Sequence, residues 1–238
     1  MHRTIPFRKI HDPQLPSLPG GPGANSKRRE AAGLGLCYGP GASQSSMLTL
    51  PTPNCQCLTL LQAYDGAPTE NLYGSDLRMD FMDIGYDLFN DKNKLKAKFI
   101  AANVLDEASD LKQLDGKISI VFIGSFLHLF NYDGQFAIIK RIVSLLDRSK
   151  ENLILGRQMG HQVAKEYPTS VRPGETATKF GHNPESFKQL WDRVGELTGT
   201  KWDVQAAFAT TEPTTTVLYP LERRDGATKI TFVVRRIP

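Results

Sequence analysis

The sequence predicts a single doubly wound α/β domain whose sheet is mostly parallel and ends in an antiparallel strand. Three observations predict it. Short apolar runs alternate with amphipathic stretches from residue 58 onward. Ile118–Ile123 (ISIVFI) is a near-continuous, β-branched run, the pattern of a strand buried on both faces. The last two strand-like segments are joined by a Pro/Thr/Gly-rich loop with no helical pattern between them, which favours antiparallel pairing.

Each element follows from local pattern. Leu58–Tyr64 reads as a short helix stopped by the turn residues Asp65-Gly66-Ala67-Pro68. Asn71–Ser75 is a short strand leading into Asp76. Asp80–Leu88 is helical, with Phe81, Ile84 and Leu88 on one side. Phe99–Ala102 is a second strand, leading into Asn103-Val104-Leu105. Gln135–Leu146 is an amphipathic helix, with Phe136, Ile139, Ile142, Val143 and Leu146 inside and Lys140, Arg141 and Arg148 outside. Asn152–Gly156 is another buried strand. Pro184–Thr198 is a helix capped by Asn183, begun by Pro184 and ended by Gly199. Val204–Phe208 and Lys229–Arg235 are the last strands.

Composition divides the chain. Residues 1–57 form a basic, Pro/Gly/Ser-rich segment, read as disordered or aberrant; residues 58–238 form the folded domain. Residues 1–30 hold six Lys or Arg against two acids, a net of +4 that equals the value for all 238 residues. The remainder is therefore balanced, which argues against a nucleic-acid-binding face. No apolar run is long enough to span a membrane, and Met1–Arg8 lacks the apolar stretch of a secretory leader. The three cysteines, Cys37, Cys55 and Cys57, give neither a disulfide framework nor a zinc pattern. A reducing, cytoplasmic setting is expected. No metal is expected, because no element carries ligand spacing.

In an open α/β sheet, ligands bind beyond the carboxyl ends of the strands, so strand-closing residues are the candidates. Asp76 can accept hydrogen bonds from both hydroxyls of a ribose, and it can equally cap the following helix. Asn103 can accept from an adenine amino group, with Val104 and Leu105 against the ring; the alternative is a plain loop. Gly124 allows close approach of a ligand to backbone. His128 can orient an acceptor or act as a base, or be a packed core residue. Arg157 and Gln158 can contact a polar substrate group, or lie on a surface loop. His161 and His182 fall in polar loops and are given no role.

In order, these segments resemble a known family, the fungal methyltransferases of secondary-metabolite clusters, notably meroterpenoid ones. The resemblance is carried by AYDGAPTENLYGSDLRMDFMDIGYDLFND, KFIAANVLDEASDLKQLDGKISIVFIGSFLHLFNYDGQ, KRIVSLL, LILGRQMG and HNPESFKQLWDRVGELTGTKW. It implies a Rossmann-like, class I methyltransferase that uses S-adenosylmethionine, methylates a carboxyl or hydroxyl group of a small polyketide–terpenoid substrate, and forms a homodimer. It further implies that Asp76 and Leu77 hold the ribose and that Asn103, Val104 and Leu105 face the adenine. The family has an acid where Asn103 stands. It also has a first strand ending in an acid and a glycine turn, roughly D-L-G-C-x-x-G. Here the nearest stretch is Gly33–Gly41, which reads as turn-rich coil, so part of the first strand region is expected to be missing. Two rival readings stay open: a catalytically impaired homologue acting as a partner, and a nicotinamide oxidoreductase. The absence of G-x-G-x-x-G and the antiparallel finish weigh against the second.

Overall fold

The computed structural model describes residues 33–37, 68–80, 83, 86–87, 90, 92–93, 95–170, 176–209 and 226–238. Within these lie nine strands: β1 Gly33–Cys37, β2 Leu72–Asp76, β3 Lys98–Ala101, β4 Ile120–Gly124, β5 Leu153–His161, β6 Lys165–Ser170, β7 Thr176–Gly181, β8 Lys201–Phe208 and β9 Ala227–Ile237. Two helices are described in full, α1 Tyr132–Leu145 and α2 Pro184–Thr198. Seven strands form one sheet in the order β3-β2-β1-β4-β5-β9-β8, and β6 and β7 form a separate hairpin.

From β3 to β5 every pairing is parallel. β9 then runs antiparallel between β5 and β8, so the expected antiparallel finish is present. It also explains the length of β5. The sequence pattern predicts only Asn152–Gly156, but β9 supplies partners along the whole strand, from Leu153 opposite Arg235 to His161 opposite Ala227.

The largest departure from the sequence reading is β1. Gly33–Cys37 is not coil but a central strand, ahead of the expected start of the domain at residue 58. Two glycines in five residues give it poor intrinsic strand propensity. It is held by neighbours: Leu34 pairs with Tyr73 of β2 on one side and Val121 of β4 on the other, and is 1% exposed. Tertiary pairing overrides propensity here. The helix expected over residues 58–64 lies outside the described residues. Most of the expected helix over 80–88 does too, although Asp80, Asp83, Tyr86 and Asp87 are helical.

One face of the sheet packs on α1 and α2. Ile138, Ile139 and Ile142 of α1 join Val121 and Ile123 of β4, and Trp191 of α2 packs against Trp202 of β8 with the rings tilted and their centroids 5.1 Å apart. Helix α1 begins earlier than predicted because Asn131 caps it, accepting from the Gly134 amide at 2.9 Å. Arg141, expected outside, is buried, since Asp115 meets its guanidinium at 2.6 Å and Ser144 accepts from the same nitrogen. Helix α2 matches its prediction. Asn183 and Ser186 form a reciprocal capping box, and Gly199 closes the helix at φ +63°.

The hairpin β6–β7 was not legible in the sequence, which shows only polar loops there. It brings both flanking histidines inside. His161 is buried, with Nδ1 accepting from the Val163 amide, and His182 is fully buried, with Nδ1 2.9 Å from Ser186 Oγ.

Candidate functional site

Strand order reverses at β1: the chain steps outward through β2 and β3, then returns to place β4 on the other side of β1. Such a reversal leaves a crevice at the carboxyl ends of the two strands. Cys37 pairs with Gly124 at that edge, so Gly124 stands at the switch point itself. Because β1 to β5 are parallel, Asp76, Asn103, Gly124 and Arg157 all lie along one edge.

Asp76 closes β2 and is half-buried. Its Oδ1 accepts from the Arg78 amide at 3.0 Å, a side-chain turn that aims the carboxylate along the strand end. Its backbone carbonyl accepts from the Ala102 amide at 2.9 Å, which ties the ends of β2 and β3 together. Arg78 is engaged by Asp80 through both guanidinium nitrogens facing that carboxylate. Beyond β3, Asn103 repeats the arrangement, its Oδ1 accepting from the Leu105 amide at 3.0 Å. Two neighbouring strands thus end in the same turn, each presenting a side-chain oxygen.

The apolar residues nearby divide. Leu77 is 70% exposed and Leu105 is 43% exposed, whereas Val104 is 5% exposed and belongs to the core. Large exposed aliphatic side chains at a sheet edge next to polar acceptors suit the flat face of a heterocycle. Leu77 and Leu105 are available for that contact, and Val104 acts from behind as support.

After Gly124 the chain makes a strained step. Ser125 takes φ +52°, one of two non-glycine residues with positive φ among those described, and its amide donates to the Arg157 carbonyl at 2.8 Å. Backbone strain of this kind concentrates at functional sites. Nothing in the sequence marked Ser125. A turn of 3₁₀ helix, Leu127–Leu129, then carries His128. The His128 Nδ1 is inaccessible and has no hydrogen-bond partner. Burial, helped by the charge of Lys179 on β7, pushes its pKa down to about 4. At neutral pH the ring is uncharged and a weak base.

Arg157 and Gln158 do not converge. As consecutive residues of β5 they point to opposite faces. Arg157 is exposed, while Gln158 is 2% exposed opposite Ile230, with neither side-chain polar atom hydrogen-bonded. Gln135, in contrast, went unread as a site residue. It is fully buried, and its Nε2 donates to both the Phe130 and Phe180 carbonyls. A signal existed: Gln135 falls on the helical stripe of Ile138, Ile139 and Ile142, where an amide is out of place. Among the described residues no group of His, Cys, Asp or Glu could hold a metal, and no helix is long and apolar enough to cross a membrane.

Comparison with known proteins supplies the context. No family model matches the chain. It is 46% identical over 142 residues to O-methyltransferase phiE from Fungal sp., covering 59% of this chain and 46% of that protein. It is 39% identical over 156 residues to methyltransferase adrK of Penicillium rubens, covering 63% and 55% of the respective chains. The chain thus spans about half the length of the curated relatives it matches. A crystal structure of a SAM-dependent methyltransferase from Archaeoglobus fulgidus superimposes with a TM-score of 0.52 over 90% of each chain, at 13% identity. The chain therefore has the class I S-adenosylmethionine-dependent methyltransferase fold and, over 59% of its length, is similar to the fungal O-methyltransferase phiE.

Proposed function

We propose that the protein is an S-adenosylmethionine-dependent methyltransferase acting on a carboxyl or hydroxyl group of a small fungal secondary metabolite of polyketide–terpenoid type. The observation that carries this reading is the pair of matched turns at the ends of β2 and β3. Asp76 and Asn103 each offer an oxygen there, beside exposed Leu77 and Leu105, next to the switch point.

In this reading Asp76 receives both ribose hydroxyls, and Asn103 accepts from the adenine amino group while Leu77 and Leu105 flank the ring. Gly124, lacking a side chain, lets the cofactor approach the β4 backbone. When bound, the cofactor supplies an activated methyl group as a sulfonium. The protein's contribution is alignment of the acceptor for in-line attack. His128 lies on the acceptor side. With a pKa near 4 it is poorly matched to a phenol of pKa about 10, whereas a carboxylate is already ionised and needs no base. That mismatch favours a carboxyl acceptor, with neutral His128 orienting it. Arg157, exposed at the same edge, is the residue placed to pair with an anionic acceptor. A homodimer, which the resemblance implies, and a cytoplasmic setting, expected from the cysteine usage, are part of the same proposal.

The impaired-homologue reading drew on a missing first strand and a missing glycine turn; β1 supplies a strand beside β2 and β4, and the segment that follows it lies outside the described residues. Isothermal titration separates the readings. Heat with S-adenosylmethionine and none with NADP is expected. Heat with NADP alone would establish the oxidoreductase instead, and silence with both would leave a non-enzymatic homologue.

A further inference from the structure

The turn that carries His128 and the hairpin β6–β7 come from distant parts of the chain and are joined at one point. The Phe180 amide of β7 donates to the Phe130 carbonyl at 2.9 Å. Beneath that bond lies Gln135, one turn inside α1 and fully buried. Its Nε2 donates to the Phe130 carbonyl at 3.0 Å and to the Phe180 carbonyl at 2.9 Å. The amide orientation follows from chemistry, since only the nitrogen can satisfy two carbonyl oxygens. Its own Oε1 is left without a partner, which costs free energy that an apolar residue at the same place would not. Two ring pairs close the junction: Phe126 with Phe130, and Tyr132 with Phe180, each at 5.3 Å. Lys179, adjacent to Phe180, is thereby brought within electrostatic reach of His128.

We propose that Gln135 is a positioning residue that locks the His128 turn to the β6–β7 hairpin, so that the two form one rigid acceptor-side wall. The functional meaning of that wall rests on the methyltransferase reading; the lock itself does not. A single neutral amide suits the task, because it spends both hydrogens on carbonyls from two segments without introducing a buried charge.

Hydrogen exchange on the full chain tests this, with Gln135→Met, which keeps length without a donor, and Gln135→Glu. In Gln135→Met, peptides covering residues 126–131 and 176–182 should exchange at least about tenfold faster, while α2 exchanges at the wild-type rate. The His128 ring should then titrate closer to the ordinary value near 6.5, read by NMR. Gln135→Glu should keep part of the hairpin protection when the carboxyl is protonated, because its single O–H can serve one of the two carbonyls, and lose it when ionised, because a carboxylate would face two carbonyl oxygens. Unchanged exchange at the hairpin, or an equal rise throughout α1 and α2, would overturn the proposal. S-adenosylhomocysteine, titrated in parallel, should bind both variants within twofold of wild type. A tenfold loss would place Gln135 in cofactor binding and overturn the acceptor-side assignment. Failure of the wild-type chain to bind it would sink the methyltransferase reading and leave the lock intact.

Discussion

A methyl group added at Gly156 would stand 2.0 Å from the Ile123 carbonyl oxygen and 2.7 Å from the Phe232 ring. The first neighbour is backbone of the adjacent strand and cannot move without breaking the sheet. Gly156→Ala should therefore destabilise by about 3 kcal/mol or more, read as a fall in the denaturant midpoint. Asp76 poses a different question, because its carboxylate both shapes a turn and is offered to a ligand. Asp76→Asn keeps an acceptor for the Arg78 amide and removes the charge. Asp76→Ala removes both. If the carboxylate holds two hydroxyls, Ala should weaken S-adenosylmethionine binding by about a hundredfold and Asn by about tenfold, from about 1.5–3 kcal/mol per charged hydrogen bond. Equal affinities across the three proteins, measured by titration calorimetry, would remove Asp76 from the site. The sequence could place Asp76, Asn103 and Gly124 at strand ends, because strand ends are read from one-dimensional pattern. It could not tell that Arg157 and Gln158 diverge until β5 was known to continue through them. Nor could it show Ser125 at positive φ, which is a property of the turn and leaves no mark on residue type.

Among the elements, α2 was the most legible and β1 the least, and the reason is where each gets its stability. Helix α2 carries its own start and stop signals: Asn183 accepts from the Ser186 amide at 2.8 Å, and Gly199 takes the left-handed conformation at φ +63°. Asn183→Ala should cost about 1 kcal/mol, and Gly199→Ala about 1–2 kcal/mol, each seen as a lowered melting temperature. A strand such as β1 carries no signal of this kind. It is paired with β2 and β4, segments at least 35 residues away in sequence. The hairpin β6–β7 is similar. It is specified by pairs such as Tyr167 with Lys179 and by its attachment to Phe130, not by the polar residues that compose it. Arg141 shows the same logic in reverse: a residue that periodicity places at the helix rim is drawn inward by Asp115, 26 positions away.

For the molecule as a whole, the hairpin and α2 enclose His182 completely, among the rings of Tyr132, Phe180 and Phe187. Burial pushes its pKa down to about 4, only partly opposed by its hydrogen bond to Ser186. In the unfolded chain the same ring titrates near 6.5. Between those values the unfolded state binds more protons, so stability falls as pH drops from about 6.5 toward 4 and is level above. The loss from this one residue should reach about 2 kcal/mol at pH 5. His128, depressed in the same direction, adds to the slope. Asp147 acts in a separate and lower window. Its carboxyl is held below the usual range by Ser149, so its contribution is present above about 3.8 and fades only as pH falls further. Urea melts at pH 7 and pH 5 would show the effect of the histidines without that of Asp147. His182→Gln, neutral throughout, should lower stability at pH 7 and flatten the difference between the two pH values by about 2 kcal/mol. A variant with the wild-type slope would mean that His182 takes up its proton as readily in the fold as in the unfolded chain, and that the junction between hairpin and helix does not exclude a charge.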